Sequence, residues 1–96
     1  MGYKNINYIV EIDKQRNISK AAEKLFISQS ALSVYLKKLE RELGVELFIR
    51  KNNTLTPTAE GELFVSTAKE ILRLEKDLFD KIKPDGNGVF TVGICS

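Results

Sequence analysis

Six residues in one stretch carry the first chemical signal: Gln29, Ser30, Ser33, Val34, Lys37 and Lys38. Their spacing puts short polar groups near the start of one helix face and cations further along it. Short side chains at a helix N-terminus let the backbone sit close to base edges, and cations behind them reach phosphates. A second polar and basic run comes at Arg50, Lys51, Asn52 and Asn53. Enzymatic chemistry has little support. There is no His, the one Cys is Cys95 near the end, and no carboxylates gather at catalytic or metal-ligand spacing. No catalytic residue and no metal ligand is assigned.

The elements that position these groups are legible. Asn5 to about Arg16 reads as a first helix, Asn5 as its N-cap, with Ile6, Ile9, Val10 and Ile12 facing inward. Arg16-Asn17 makes a turn. Ser19 is read as the cap of a second short helix, in which the small Ala21 and Ala22 permit a close helix crossing. A tight turn at Ile27 comes next. Ser28 then suits an N-cap, because its hydroxyl can accept from open N–H groups of the next turn. Leu32, Leu36, Leu39 and Leu43 form the buried stripe of the third helix; Ser30, Ser33, Val34, Lys37 and Arg41 form its outer face. Gly44 ends it as a residue tolerant of positive φ. An ordinary amphipathic hairpin with a solvated polar face is the plainer alternative for this segment.

The residues after Gly44 argue against that alternative. Val45 to Arg50 reads as a short strand, Lys51-Asn52-Asn53-Thr54 as a turn, and Leu55-Thr56-Pro57 as a returning strand. The fold class expected is mostly α: a winged helix-turn-helix of three helices and a two-stranded wing, with a long dimerisation helix after it. Thr58 caps that last helix, from about Ala59 to Lys83, with Glu60 and Glu62 favouring its dipole. Phe64, Ala68, Ile71, Leu78 and Ile82 make one apolar stripe with Leu72 and Phe79 beside it; Leu63 and Leu74 fall on another side. About 25 residues span about 37 Å, too long for so small a domain to cover. A second copy is the simplest partner, against the alternative of a free, frayed helix.

This run resembles the N-terminal domain of the LysR-type transcriptional regulators. The matching residues are Ala21-Ala22-Glu23-Lys24-Leu25, Ser28-Gln29, Ala31-Leu32-Ser33, Leu39-Glu40, Leu43-Gly44-Val45, Leu47-Phe48, Arg50, and Thr58 with Gly61. The likeness covers about residues 3 to 83. It implies a reading head that binds a double-stranded DNA operator. Gln29 and Ser33 would contact base edges and Ser30 and Val34 would shape the fit. Ser28, Lys37, Lys38, Arg50, Lys51, Asn52 and Asn53 would complete the interface. It also implies a homodimer through the last helix, and a higher oligomer in a longer protein. Three departures bear on operator preference. Ser30 stands where the family usually has Pro, Val34 where it often has Arg or another polar residue, and Asn53 and Thr54 where the wing often has Arg.

The chain divides into three spans: a winged domain at 1–58, a linker helix at 59–83, and a boundary loop with a first strand at 84–96. Pro84 to Gly88 is a breaker run and Val89 to Ile94 reads as a strand. In the family that strand opens an effector-binding domain, so the chain is expected to be a piece of a longer regulator. Residues 86–96 are then expected to be disordered or held by a neighbour. No cofactor is expected in this chain; a small-molecule inducer would belong to the absent domain.

The net charge of +2 is modest, but its distribution fits the reading. Residues 1–58 hold ten Lys/Arg against six Asp/Glu, and residues 59–96 five against seven. The basic balance lies with the reading head, as attraction to phosphate requires. A single Cys excludes an intrachain disulfide. With neither a signal peptide nor an apolar run of about 20 residues, a cytoplasmic, membrane-free protein is expected. Cys95 reads as a small apolar strand residue rather than a redox switch. Two other functions compete: a winged-helix protein-interaction module without its own operator, and the similar head of a molybdate-responsive regulator.

Overall fold

A computed structural model describes residues 5–82. The expectations for residues 83–96, Cys95 among them, lie outside the described residues. Four helices and one hairpin occur in order: α1 (Ile6–Gln15), α2 (Ile18–Leu25), α3 (Gln29–Leu43), β1 (Phe48–Lys51), β2 (Thr54–Pro57) and α4 (Ala59–Ile82).

The core forms where the apolar faces of these elements meet. Ile9 and Ile12 of α1, Ala21 and Ala22 of α2, Leu32, Leu36 and Leu39 of α3, and Leu47, Phe48 and Leu55 of the wing are buried together with Val65 of α4. Ala21 and Ala22 are 0% and 2% exposed, so the crossing of α2 has room only for methyl groups. Val10 is half-buried beside the fully buried Ile9 and Ile12, and Leu43, at 36% exposed, leaves the predicted stripe.

Three helix starts differ in detail. Ser28 caps α3, accepting from the Ala31 N–H at 3.1 Å. Asn17, not Ser19, caps α2: its Oδ1 accepts from the Lys20 N–H at 2.9 Å. Asn5 stands before α1 in the left-handed region at φ 65° and caps with no side-chain bond. Its carbonyl instead accepts from the Tyr35 hydroxyl at 3.0 Å. Tyr35 meets Tyr8 edge-on at 5.0 Å between ring centres. Burial, with Tyr8 and Glu42 nearby, pushes the Tyr35 phenol above its ordinary pKa.

The wing begins later than its sequence suggests. Val45 and Glu46 are exposed connectors, and the antiparallel pairing runs from Phe48 with Pro57 to Lys51 with Thr54. The N–H groups of Leu47 and Phe48 are taken instead by the Glu40 carboxylate, at 2.7 and 3.3 Å. That carboxylate fastens the base of the wing to the last turn of α3. Asn52 and Asn53 turn the hairpin with φ of 51° and 62°. Two consecutive positive φ values make a tight turn, and Asn tolerates that region better than most residues. On the other edge of the hairpin, the Leu55 N–H donates to the Arg16 carbonyl at 3.1 Å.

Thr58 closes the wing and opens α4. Its hydroxyl accepts from the Gly61 N–H at 3.0 Å and donates to the Glu46 carbonyl at 2.6 Å, while its own N–H donates to the Leu47 carbonyl at 2.9 Å. Gly61 is required here. A Cβ at this position would lie 1.9 Å from the Leu47 carbonyl oxygen. The first three turns of α4 are therefore part of the head, with Gly61, Val65 and Ala68 buried. Beyond Leu72 the helix leaves the head, and Leu74, Leu78, Phe79 and Ile82 are 54–60% exposed.

Candidate nucleic-acid interface

The outer face of α3 is presented as its spacing requires. Gln29, Ser30, Lys37 and Lys38 are exposed, Ser33 is half-buried, and Val34 is 66% exposed although apolar. Ser28 and Ser30 approach each other, Oγ to Oγ, at 3.4 Å. Beside this face stands the wing, with Arg50, Lys51, Asn52 and Asn53 all exposed at and around the hairpin turn. A groove of about 240 Å³ runs between the two, with Ser33, Lys37, Glu40 and Arg50 among its polar walls and Leu36 and Phe48 on its floor. Helix face, groove and wing make one continuous surface. Of the eleven proposed interface residues, Ser33, Lys37 and Arg50 line this groove, and all but the half-buried Ser33 are exposed.

Some residues at this surface are not evident from sequence. Ser19, read as a cap, donates its hydroxyl to Gln29 Oε1 at 2.8 Å. A small polar depression is lined by Arg16, Asn17 and Ser19 with Gln29, Arg50 and Asn53, so the α1–α2 turn, α3 and the wing converge there. Phe26, at the end of α2, is 93% exposed and adopts φ 60°. Helical periodicity gives no sign of it, because the residue lies just past its helix. Glu40 carries no periodic signal either; its role emerges only when the wing is in place.

Residues 3–62 match the family described as bacterial regulatory helix-turn-helix protein, lysR family. The chain belongs to the LysR family. Among similar proteins, the HTH-type transcriptional regulator BsdA of Bacillus subtilis (strain 168) is 39% identical over 97 residues, covering 97% of this chain and 33% of that protein. The HTH-type transcriptional regulator BudR of Klebsiella aerogenes is 34% identical over 99 residues, covering 100% of this chain and 69% of that protein. The chain thus spans about a third of the length of BsdA. Among solved structures, the complex of the BenM DNA-binding domain with catB site 1 DNA superposes with a TM-score of 0.82 at 30% identity, over 94% of this chain and 100% of that one. The complex of the CbnR DNA-binding domain with DNA gives 0.78 at 28% identity, over 90% and 99%. The winged helix-turn-helix with a long final helix is therefore the LysR-type fold.

The apolar set on α4 needs correction in this light. Ala68 is 2% exposed, buried against the head of its own chain, and is unavailable to a partner. Phe64 and Ile71 are half-buried, lining with Ile6 a small apolar hollow between α4 and α1; Leu72 is half-buried as well. Leu63 and Leu74 are both more than half exposed. Leu74, Leu78 and Ile82 succeed one another at steps of four, so they share one face, and Leu63, 67% exposed, lies along the same side as Leu74. Exposed ion pairs of Arg73 with Glu70 and Asp77, and of Lys76 with Asp80, occupy other positions of the same helix. Among the described residues, no helix is long and apolar enough to cross a membrane, and no group of His, Cys, Asp and Glu could hold a metal.

Proposed function

We propose that this chain is the sequence-specific DNA-binding head of a bacterial transcriptional regulator, acting on an operator in the cytoplasm as a homodimer. One observation carries the reading: the exposed face of α3, with Gln29 and Ser33 ahead of Lys37 and Lys38, continues across a groove into the cationic wing. In this reading α3 enters the major groove, Gln29 and Ser33 meet base edges, and Val34 packs beside them. Lys37, Lys38, Arg50 and Lys51 hold phosphates, and Asn52 and Asn53 track the backbone or minor groove. Phosphate contacts fix register and base contacts specify sequence. The two structural neighbours solved as DNA complexes support the docking. A small-molecule inducer, if the full regulator takes one, binds outside this chain.

The dimer rests on the ladder Leu74, Leu78 and Ile82 with Phe79 beside it, all more than half exposed. Exposed Val34 and Phe26 favour a second reading, a module that docks on protein instead. Duplex binding against salt separates the two, because counterion release belongs to phosphate contact. We expect Gln29→Ala to weaken the preferred duplex by about 1–3 kcal/mol and to relax choice at one base pair. Arg50→Ala weakens all duplexes alike and lowers the salt slope by about one. Salt-insensitive binding, or none to any duplex from a random pool, would remove the DNA reading.

A further inference from the structure

We infer that Ser19 is a specificity-determining positioning residue, which fixes the Gln29 amide so that the chain reads acceptor edges of bases. The inference rests on the proposed docking of α3 in the major groove. Ser19 lies on α2 and Gln29 opens α3, ten residues apart, yet the serine hydroxyl donates to Gln29 Oε1 at 2.8 Å. Neither side chain is needed for packing, since both are exposed. Ser19 is also free of the capping role, which Asn17 fills. The bond therefore has no structural task that another residue leaves undone.

Its chemical effect is directional. A free glutamine amide offers one acceptor and two donor hydrogens, and pairs with adenine through both, accepting from N6 and donating to N7. Here one of the two Oε1 lone pairs is taken by Ser19, so the oxygen is held toward α2 and the depression that Arg16, Asn17, Arg50 and Asn53 also line. The NH2 group, on the other arm of the planar amide, is left to meet the DNA. Two donor hydrogens suit guanine, whose O6 and N7 both accept, or thymine O4. They suit adenine less well, because its N6 needs an acceptor, and cytosine N4 not at all. Losing the hydroxyl lets the amide turn, so that Oε1 can face N6 in the adenine mode.

The test uses the 96-residue chain and the tightest duplex selected from a random pool, with all four base pairs placed at the position that responds to Gln29→Ala. The wild type should prefer guanine or thymine there over adenine. Ser19→Ala should shift that preference toward adenine by about fivefold or more, the lower end of what one bidentate contact discriminates. Ser19→Thr, which keeps a hydroxyl, should retain the wild-type profile. In the Gln29→Ala background Ser19→Ala should change nothing further. Three results overturn the inference alone: an adenine preference in the wild type, a Ser19→Ala profile unchanged at a position where Gln29→Ala is not silent, or a uniform loss across all four duplexes, which would make Ser19 a backbone contact. If Gln29→Ala is silent at every position, the docking of α3 fails and this inference with it.

Discussion

Val34 sets an isopropyl group, two-thirds exposed, on the face of α3 that the proposed function turns toward DNA. Such a group satisfies neither a donor nor an acceptor, but it packs on the C5-methyl of thymine. The half-site should therefore carry a thymine opposite Val34. Replacing that thymine by uracil, which removes only the methyl, should weaken binding modestly in a titration of matched duplexes. Val34→Arg should move the preference toward guanine, through O6 and N7. Equal affinity for the thymine and uracil duplexes would leave Val34 as a spacer. At this scale the sequence is informative about identity and side, because a 3.6-residue period assigns residues to faces. It is silent on partnership. The Ser19–Gln29 bond joins two helices, and no period relates side chains across a turn. Asn17 and Ser19 are both good capping residues two positions apart, and only the backbone distinguishes which one caps.

At the scale of elements, the helices are more legible than the wing. Helices α2 and α3 carry their own signals in paired alanines, a serine cap, a leucine stripe and a terminal glycine. A four-residue strand has too few residues for alternation to declare its start, so sequence alone extends β1 over Val45 and Glu46 although both are exposed. What sets the true start is Glu40, which occupies the Leu47 and Phe48 N–H groups from another element. The packing of α4 is hidden for a related reason: a cap such as Thr58 marks where a helix begins but says nothing of what the helix packs on. Gly61 records that packing. Gly61→Ala favours a helix by propensity, by about 1 kcal/mol, yet its methyl would meet backbone at 1.9 Å. Crowding costs about 1–3 kcal/mol, and more where the crowded atoms are backbone that cannot swing aside, as here, so the variant should lose net stability. A denaturant midpoint equal to or above that of the wild type would show that α4 is seated more loosely on the wing than the geometry implies.

For the whole molecule, the decisive feature is that α4 is half inside its domain and half outside. Its outer ladder of Leu74, Leu78 and Ile82 is the part to disrupt, since Ile71 also faces the head and a charge there would confound folding with assembly. Leu78→Asp should convert a dimer to a monomer by sedimentation at tens of micromolar, and it should weaken a two-half-site duplex far more than a single half-site, because linked heads gain from effective concentration. A wild type that sediments as a monomer would end the proposal. The seating of Gly61 on the Leu47 carbonyl has a mechanical consequence as well. With that contact closed, α4 and the head move as one rigid arm, and 24 residues make an arm of about 36 Å. A change of about 10° in how two such arms cross displaces the far end by about 6 Å, close to two base-pair rises of about 3.4 Å. If two heads pair through α4 as proposed, the interval between half-sites would follow the crossing angle of a helix outside the proposed DNA-contacting face.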